Sequence, residues 1–186
     1  NRLNVILIND RGIVVGGLAA GEDNLIAGNM QAGVRVQSGN GNKVLGNRIF
    51  ANGGLGIDLD APGPDTNDIG DADGGANTRL NAPVLYGAIS SSSVTTVTGL
   101  FSSAASQTFT VSFYASDVCD ASGFGEGQRV LGAVVATTDG AGRGGFGATL
   151  PVSVADGTYV TALLTDAAGN TSEFSACKIL QPDNTS

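Results

Sequence analysis

Short apolar runs return through the first third of this chain at an interval of about twenty residues. That interval constrains the fold more than any other feature. Gly12-Ile-Val-Val15, Gly33-Val-Arg-Val36 and Gly56-Ile-Asp-Leu59 each place an apolar-x-apolar triplet behind a glycine. Asn24-Leu-Ile-Ala-Gly-Asn29 matches Asn42-Lys-Val-Leu-Gly-Asn47, and Val5-Ile-Leu-Ile8 reads as a strand of an earlier turn of the repeat. Returns of that length, with two or three short strands each, describe a solenoid. Leucine-rich repeats share the length but need a leucine and asparagine ladder that this segment lacks. The expected form is a right-handed parallel β-helix of about three coils over residues 1–60.

In that geometry Ile13, Val15, Val34, Val36, Ile57 and Leu59 point inward and stack coil on coil. Leu25 or Ile26, Val44 or Leu45, and Ile49 line a second inner face. Asn29 and Asn47 are expected at left-handed corners, with Gly28 and Gly46 relieving the same corners. These residues read as corner-formers that satisfy the main chain, not as a reactive set. The end near Asn1 reads as cut: further coils of a longer precursor, or another molecule, stack there, because a coil stack needs a cap at each end.

After residue 81 the pattern changes. Seven strand-like runs follow, at 83–88, 94–101, 108–116, 128–138, 145–151, 158–165 and 173–180. Thr108-Phe-Thr-Val-Ser-Phe-Tyr-Ala115 alternates with Phe109, Val111 and Phe113 on one face. Asp156-Gly157 and Ala168-Gly-Asn170 supply turn chemistry between runs. That spacing predicts an Ig-like antiparallel β-sandwich over residues 82–181, with 182–186 as a tail. The whole chain is therefore expected to be all-β.

Residues 61–81 join the two parts. With the end of the preceding run they carry Asp58, Asp60, Asp65, Asp68, Asp71 and Asp73, followed by Asn77, amid glycines. Closely spaced carboxylates on a flexible loop are what calcium needs, since it takes six to eight oxygen ligands. The stretch fits neither the EF-hand pattern nor the nonapeptide calcium repeat, so it stands as a candidate calcium loop of its own kind. A weaker candidate is Asp166, Asn170 and Glu173 on a later turn. Gly123-Phe-Gly-Glu-Gly127 also sets a glutamate in a glycine-rich loop, where a turn that fixes its own backbone is the simpler reading.

A formal net charge of −8 makes nucleic acid an improbable partner. No apolar run approaches the length of a membrane span. The chain has no histidine, which removes the commonest general base and zinc ligand together. Its two cysteines, Cys119 and Cys177, are expected to form one disulfide, which suits an extracellular protein. These features favour a non-enzymatic structural or adhesive module, associating with itself or with other surface proteins through exposed strand edges, in a surface layer or filament. The alternatives are a polyuronide lyase or hydrolase, for which Asp10, Asp58 and Asp60 with Arg11 or Arg35 are the candidates, and a glycan-binding module using Tyr86, Tyr114 or Tyr159.

The chain resembles the carboxy-terminal part of large secreted bacterial surface proteins, in which parallel β-helix repeats precede an Ig-like domain. The residues that carry the resemblance are Asn24-Leu-Ile-Ala-Gly-Asn29, Asn52-Gly-Gly-Leu-Gly-Ile-Asp-Leu59, Asn67-Asp-Ile-Gly-Asp-Ala-Asp73, Asn81-Ala-Pro-Val-Leu85, Gly123-Phe-Gly-Glu-Gly127 and Gly169-Asn-Thr-Ser-Glu-Phe-Ser175. It implies secretion and a surface or matrix role. It supplies no catalytic residues, and family members usually bring many more coils.

Overall fold

A computed structural model describes residues 6–182, and they are all-β. Strands β1 (Ile6–Ile8), β2 (Val14–Val15) and β3 (Leu25–Ala27) make one pass. A second pass follows through β4 (Val34–Val36), β5 (Lys43–Val44) and β6 (Arg48–Phe50), and β7 (Ile57–Leu59) opens a third. All the ladders are parallel: β1–β4–β7, β2–β5 and β3–β6. Strands this short have little stability alone. What holds them is in-register stacking, with Ile8 on Val36 on Leu59, Val15 on Val44, and Ile26 on Ile49. These side chains share one apolar cluster.

The register differs from the sequence expectation in two places. Gly12-Ile-Val-Val15 does not stack on Gly33-Val-Arg-Val36. β2 belongs to a different ladder, and Ile13 and Val14 are exposed. The partner of β4 on that side is β1. Likewise Asn24–Asn29 lies on Asn47–Asn52, not on Asn42–Asn47. Residue identity favoured the wrong mate. Geometry instead requires an asparagine at both flanks and an isoleucine at the inward position, which Asn24, Ile26 and Asn29 share with Asn47, Ile49 and Asn52. The left-handed corners are made by Gly28 and Gly46 (φ 70° and 69°), not by Asn29 and Asn47. A Cβ on Gly46 would collide with the Gly17 carbonyl of the pass before, so glycine is required there for closeness as well as for conformation.

The second part forms two four-stranded sheets. One has the order β11 (Arg129–Thr137), β10 (Thr108–Ser116), β13 (Tyr159–Asp166), β14 (Lys178–Ile179). The other has β12 (Arg143–Leu150), β9 (Thr95–Ser102), β8 (Val84–Ser90), β15 (Gln181–Pro182). Pairing is antiparallel except that β15 runs parallel to β8. Both sheets contribute to a second apolar cluster, with Val97, Phe101 and Leu150 from one and Val111, Phe113 and Leu164 from the other. Phe109 and Phe113 are buried as the alternation predicts.

The seventh expected strand is largely absent as a strand. Only Lys178–Ile179 pairs in a ladder with β13. Upstream, serine hydroxyls stand in for main-chain acceptors: Ser172 Oγ takes the Leu164 N–H and Ser175 Oγ the Ala162 N–H, each at 3.0 Å. The chain there runs beside β13 while turning Glu173 and Phe174 toward the first part.

Candidate functional site

The site is the surface on which the second part closes the parallel passes. A parallel ladder ends in main-chain donors that need acceptors. Here several of them are met by acceptors of different kinds. Ile49 and Gly127 exchange two main-chain bonds of 2.8 and 2.7 Å, an antiparallel bridge laid beneath a parallel ladder. Val44 N–H donates to Thr171 Oγ1 at 3.1 Å, Gly46 N–H to the Tyr114 hydroxyl at 3.1 Å and Gly41 N–H to Asn170 Oδ1 at 2.6 Å. Leu59 N–H donates to Glu173 Oε1 at 3.0 Å, and Asp65 N–H to Glu173 Oε2 at 2.9 Å.

Apolar contacts complete the closure. Tyr114, Leu163 and Phe174 belong to the same buried cluster as Ile49, Ile57 and Leu59. The Tyr114 and Phe174 rings meet edge to face with centroids 5.2 Å apart. Phe174 lies against Gly56, where a Cβ would press on the ring. Burial raises the Tyr114 hydroxyl above its usual range, so it serves as a neutral hydrogen-bonding group.

Carboxamides run down the passes toward this surface. Asn24 gives its N–H and its Nδ2 to Asn47 Oδ1, at 3.1 and 2.9 Å. Asn29 gives the same pair to Asn52 Oδ1, at 3.1 and 2.7 Å. Asn52 in turn gives its N–H and Nδ2 to Glu126 Oε1, at 3.0 and 2.7 Å. Glu126 thus occupies the place of the next asparagine. It is buried, and burial raises its pKa while the Asn52 donors oppose the rise. Asn77 ends another line. It accepts from Asn42 N at 2.9 Å and donates to the carbonyls of Asn42 and Thr171 at 2.7 and 3.0 Å. Asn77, Thr78 and Arg79 have successive positive φ values of 49°, 58° and 51°, a costly turn that these bonds and an Arg79–Asp60 ion pair of 2.7 Å hold in place.

The acidic residues expected to form one calcium loop fall into separate places. Asp68, Asp71 and Asp73 come together, each with a carboxylate oxygen within 4.8 Å of the others. Asp68 already accepts from the N–H groups of Ala72 and Asp73, and Asp71 from Asn81 N–H and the Ser103 hydroxyl. Desolvation raises Asp71, and the charges of Asp68 and Asp73 add to the rise. This trio offers hard oxygen donors of the kind calcium takes. Backbone oxygens or water would have to supply the remainder of its shell.

Asp58, Asp60, Asp65 and Asn77 lie outside the trio. Asp60 is tied to Arg79 and to Ala76 N–H. Asp58 is buried and accepts from Gly63 N–H at 3.3 Å. Asp65 Oδ2 is buried without a hydrogen-bond partner among the described residues. Asp58, Asp65 and Glu173 are all raised chiefly by burial, and Glu173 reaches about 7 with the charges of Asp65 and Asp58 contributing.

Of the weaker candidate set, Asp166 and Asn170 bond to each other at 2.6 Å, while Glu173 faces the passes. Cys119 and Cys177 form the expected disulfide, with a Cα separation of 6.0 Å. Among the tyrosines offered for glycan contact, Tyr114 is buried and Tyr86 is 59% exposed on β8. Arg35 Nη2 donates to the Asp60 carbonyl at 2.8 Å. Arg35 and Asp58 line a cleft of about 390 Å³.

Sequence reasoning weighed Glu126, Asn170 and Glu173 as turn residues or cation ligands. Their acceptor role toward the passes was missed. One signal was available: the chain has only three glutamates, and two of them stand among glycines, serines and apolar residues, where a solvated acid is out of place. No protein-family model matches the chain, and no curated protein matches it either.

Proposed function

We propose that this chain is a non-enzymatic extracellular module, structural or adhesive, in which an Ig-like β-sandwich caps one end of a right-handed parallel β-helix. The observation that carries the reading is the closure itself. Tyr114, Glu126, Gly127, Asn170, Thr171 and Glu173 accept from main-chain donors on or beside the last strands of the passes. A surface of acceptors matched to a coil end is what a terminating cap requires. The Cys119–Cys177 disulfide supports an oxidising, extracellular setting. It fits the surface-protein family that the motifs resemble.

Partners are then neighbouring coils or other surface proteins, met at the end away from the cap or along sheet edges. A head-to-tail filament built through coil ends needs two complementary open ends, and the sandwich closes one of them. Calcium binds at Asp68, Asp71 and Asp73 and stiffens the connection between the two parts.

Two experiments test this. Incubation with polygalacturonate should release neither reducing ends nor unsaturated product; release of either overturns the non-enzymatic reading and returns attention to Asp58 and Arg35. Calorimetry with and without chelator should show a lower transition temperature in chelator that calcium restores. Superimposable transitions remove the calcium part and leave the cap untouched.

A further inference from the structure

The two sheets of the second part have unlike outer faces. On the sheet of β10, β11 and β13, Tyr114 and Leu163 point away from the sandwich core and are buried against the passes. On the sheet of β8, β9 and β12, no described residue covers the corresponding layer. Val84, Tyr86, Ile89 and Leu100 stand there 45–59% exposed. The alternate positions, with Ala88, Val97, Phe101 and Ala148, fill the core between the sheets. A sheet face left to water is ordinarily polar, and this one is not.

Charge and shape say what fits it. The chain carries a formal net charge of −8. Yet the outward positions of β8, β9 and β12 hold no carboxylate and a single charge, Arg143, at one end. Two copies of an acidic chain repel over most of their surfaces, and they approach at least cost through a face without carboxylates. Val84 pairs with Leu100 and Leu100 with Gly145, so one row forms a ridge. Leu100 leans over Gly145, whose added Cβ would meet Leu100 Cδ2 at 3.1 Å. In the next row Gly147 pairs with Thr98 and leaves a hollow, where an added Cβ would meet nothing within 4 Å. A ridge beside a hollow is self-complementary under a twofold axis, each ridge entering the other copy's hollow.

We propose that the outer face of β8, β9 and β12 is the contact surface for a second copy of this chain, packed sheet on sheet about a twofold axis. This contact rests on the reading of the chain as an associating module, and it gives that module a surface apart from coil ends and sheet edges. Three strands about 4.8 Å apart and about six residues long present about 300 Å² in projection. That area is small for a specific interface, so the dimer is weak and exchanges with monomer.

Sedimentation velocity of the full chain tests it. Between about 5 µM and about 1 mM, monomer should give way to dimer. The dimer should gain at about 0.5 M salt over about 0.05 M, because screening relieves the repulsion between acidic copies. Leu100→Asp should weaken it at least about tenfold. Gly147→Val fills the hollow at an exposed strand position that has room for the side chain, so it decides the matter should Leu100→Asp not fold. It should weaken the dimer about fivefold although it adds apolar surface. Val135→Asp adds the same charge at a 71% exposed position on the other sheet, and should change the affinity by no more than about twofold.

A monomer at every concentration, a dimer that Leu100→Asp spares, or one that Gly147→Val strengthens overturns the proposal. So does a monomer that instead binds a neutral glycan through Tyr86 and Leu100. The module reading fails separately, by release of product from polygalacturonate, which would leave the sedimentation result standing.

Discussion

The two parts of this molecule satisfy the same need by different means. In the passes, strands of two or three residues are too short to share many main-chain bonds, and buried carboxamides carry polar pairing from level to level. In the sheets, the six strands β8 to β13, of seven to nine residues, pair along most of their length and bury phenylalanine, valine and leucine between layers, with the two-residue β14 and β15 each at one edge. The first arrangement depends on particular side chains at particular positions. The second tolerates any apolar residue of suitable size and parity. Where they meet, the sheets borrow the language of the passes: Glu126 stands in for an asparagine, and Thr171 and Tyr114 offer hydroxyls to main-chain donors.

The strongest way to break the contrast is at the shared apolar seal. Phe174→Ala should cost about 3–5 kcal/mol in denaturant unfolding, as much as Phe113→Ala in the middle of the sheets. A loss near zero for Phe174 would mean that the passes hold together without the seal. Next is the covalent tie. Replacing Cys119 and Cys177 together by serine should cost about 2–4 kcal/mol, read as a lower denaturation midpoint with a steeper slope, because the unfolded chain without the cross-link exposes more surface.

The third effect is set by pH. Glu173 has a folded pKa of about 7 against an ordinary 4.5, so the folded state holds the extra proton between those values. Stability should therefore fall as pH rises from about 4.5 through 7, by about 1–3 kcal/mol. Glu173→Gln should flatten that part of the profile. An unchanged slope in the variant would assign the dependence to another group. Smallest and most local is the carboxamide line. Asn52→Ala removes the acceptor of Asn29 and the side-chain donor to Glu126, and should cost about 1–3 kcal/mol. An equal loss from Asn67→Ala, a surface asparagine bonded only to Ala82, would erase the distinction between buried and exposed carboxamides.

Legibility followed the same divide. Alternation in 108–116 and 158–165 marked two strands within a residue of their ends, although both strands are buried on both faces over much of their length. In the passes the interval was legible, and so was the inward set Val34, Val36, Ile57 and Leu59. The pairing was not. The first two passes differ in length at the β2–β3 connection, where residues 16–24 form a longer loop than residues 45–47, and a simple interval cannot absorb that insertion. The aspartates of 58–73 looked like one loop because they are near in sequence. Positive φ at Asp60 and Asp71 turns the chain between them, and they part company. The residues that make the closure were hidden for a further reason. The acceptors come from 114, 126–127, 170–171 and 173, and nothing local tells a threonine or glutamate that its partner lies more than a hundred residues away.

Differential scanning calorimetry of the intact chain tests most directly the claim that passes and sheets fold as one body through this closure. The account predicts a single transition whose calorimetric and van't Hoff enthalpies agree, and which Phe174→Ala moves as a whole to lower temperature. Two separable transitions in the unaltered chain, with Phe174→Ala shifting only one of them, would contradict it.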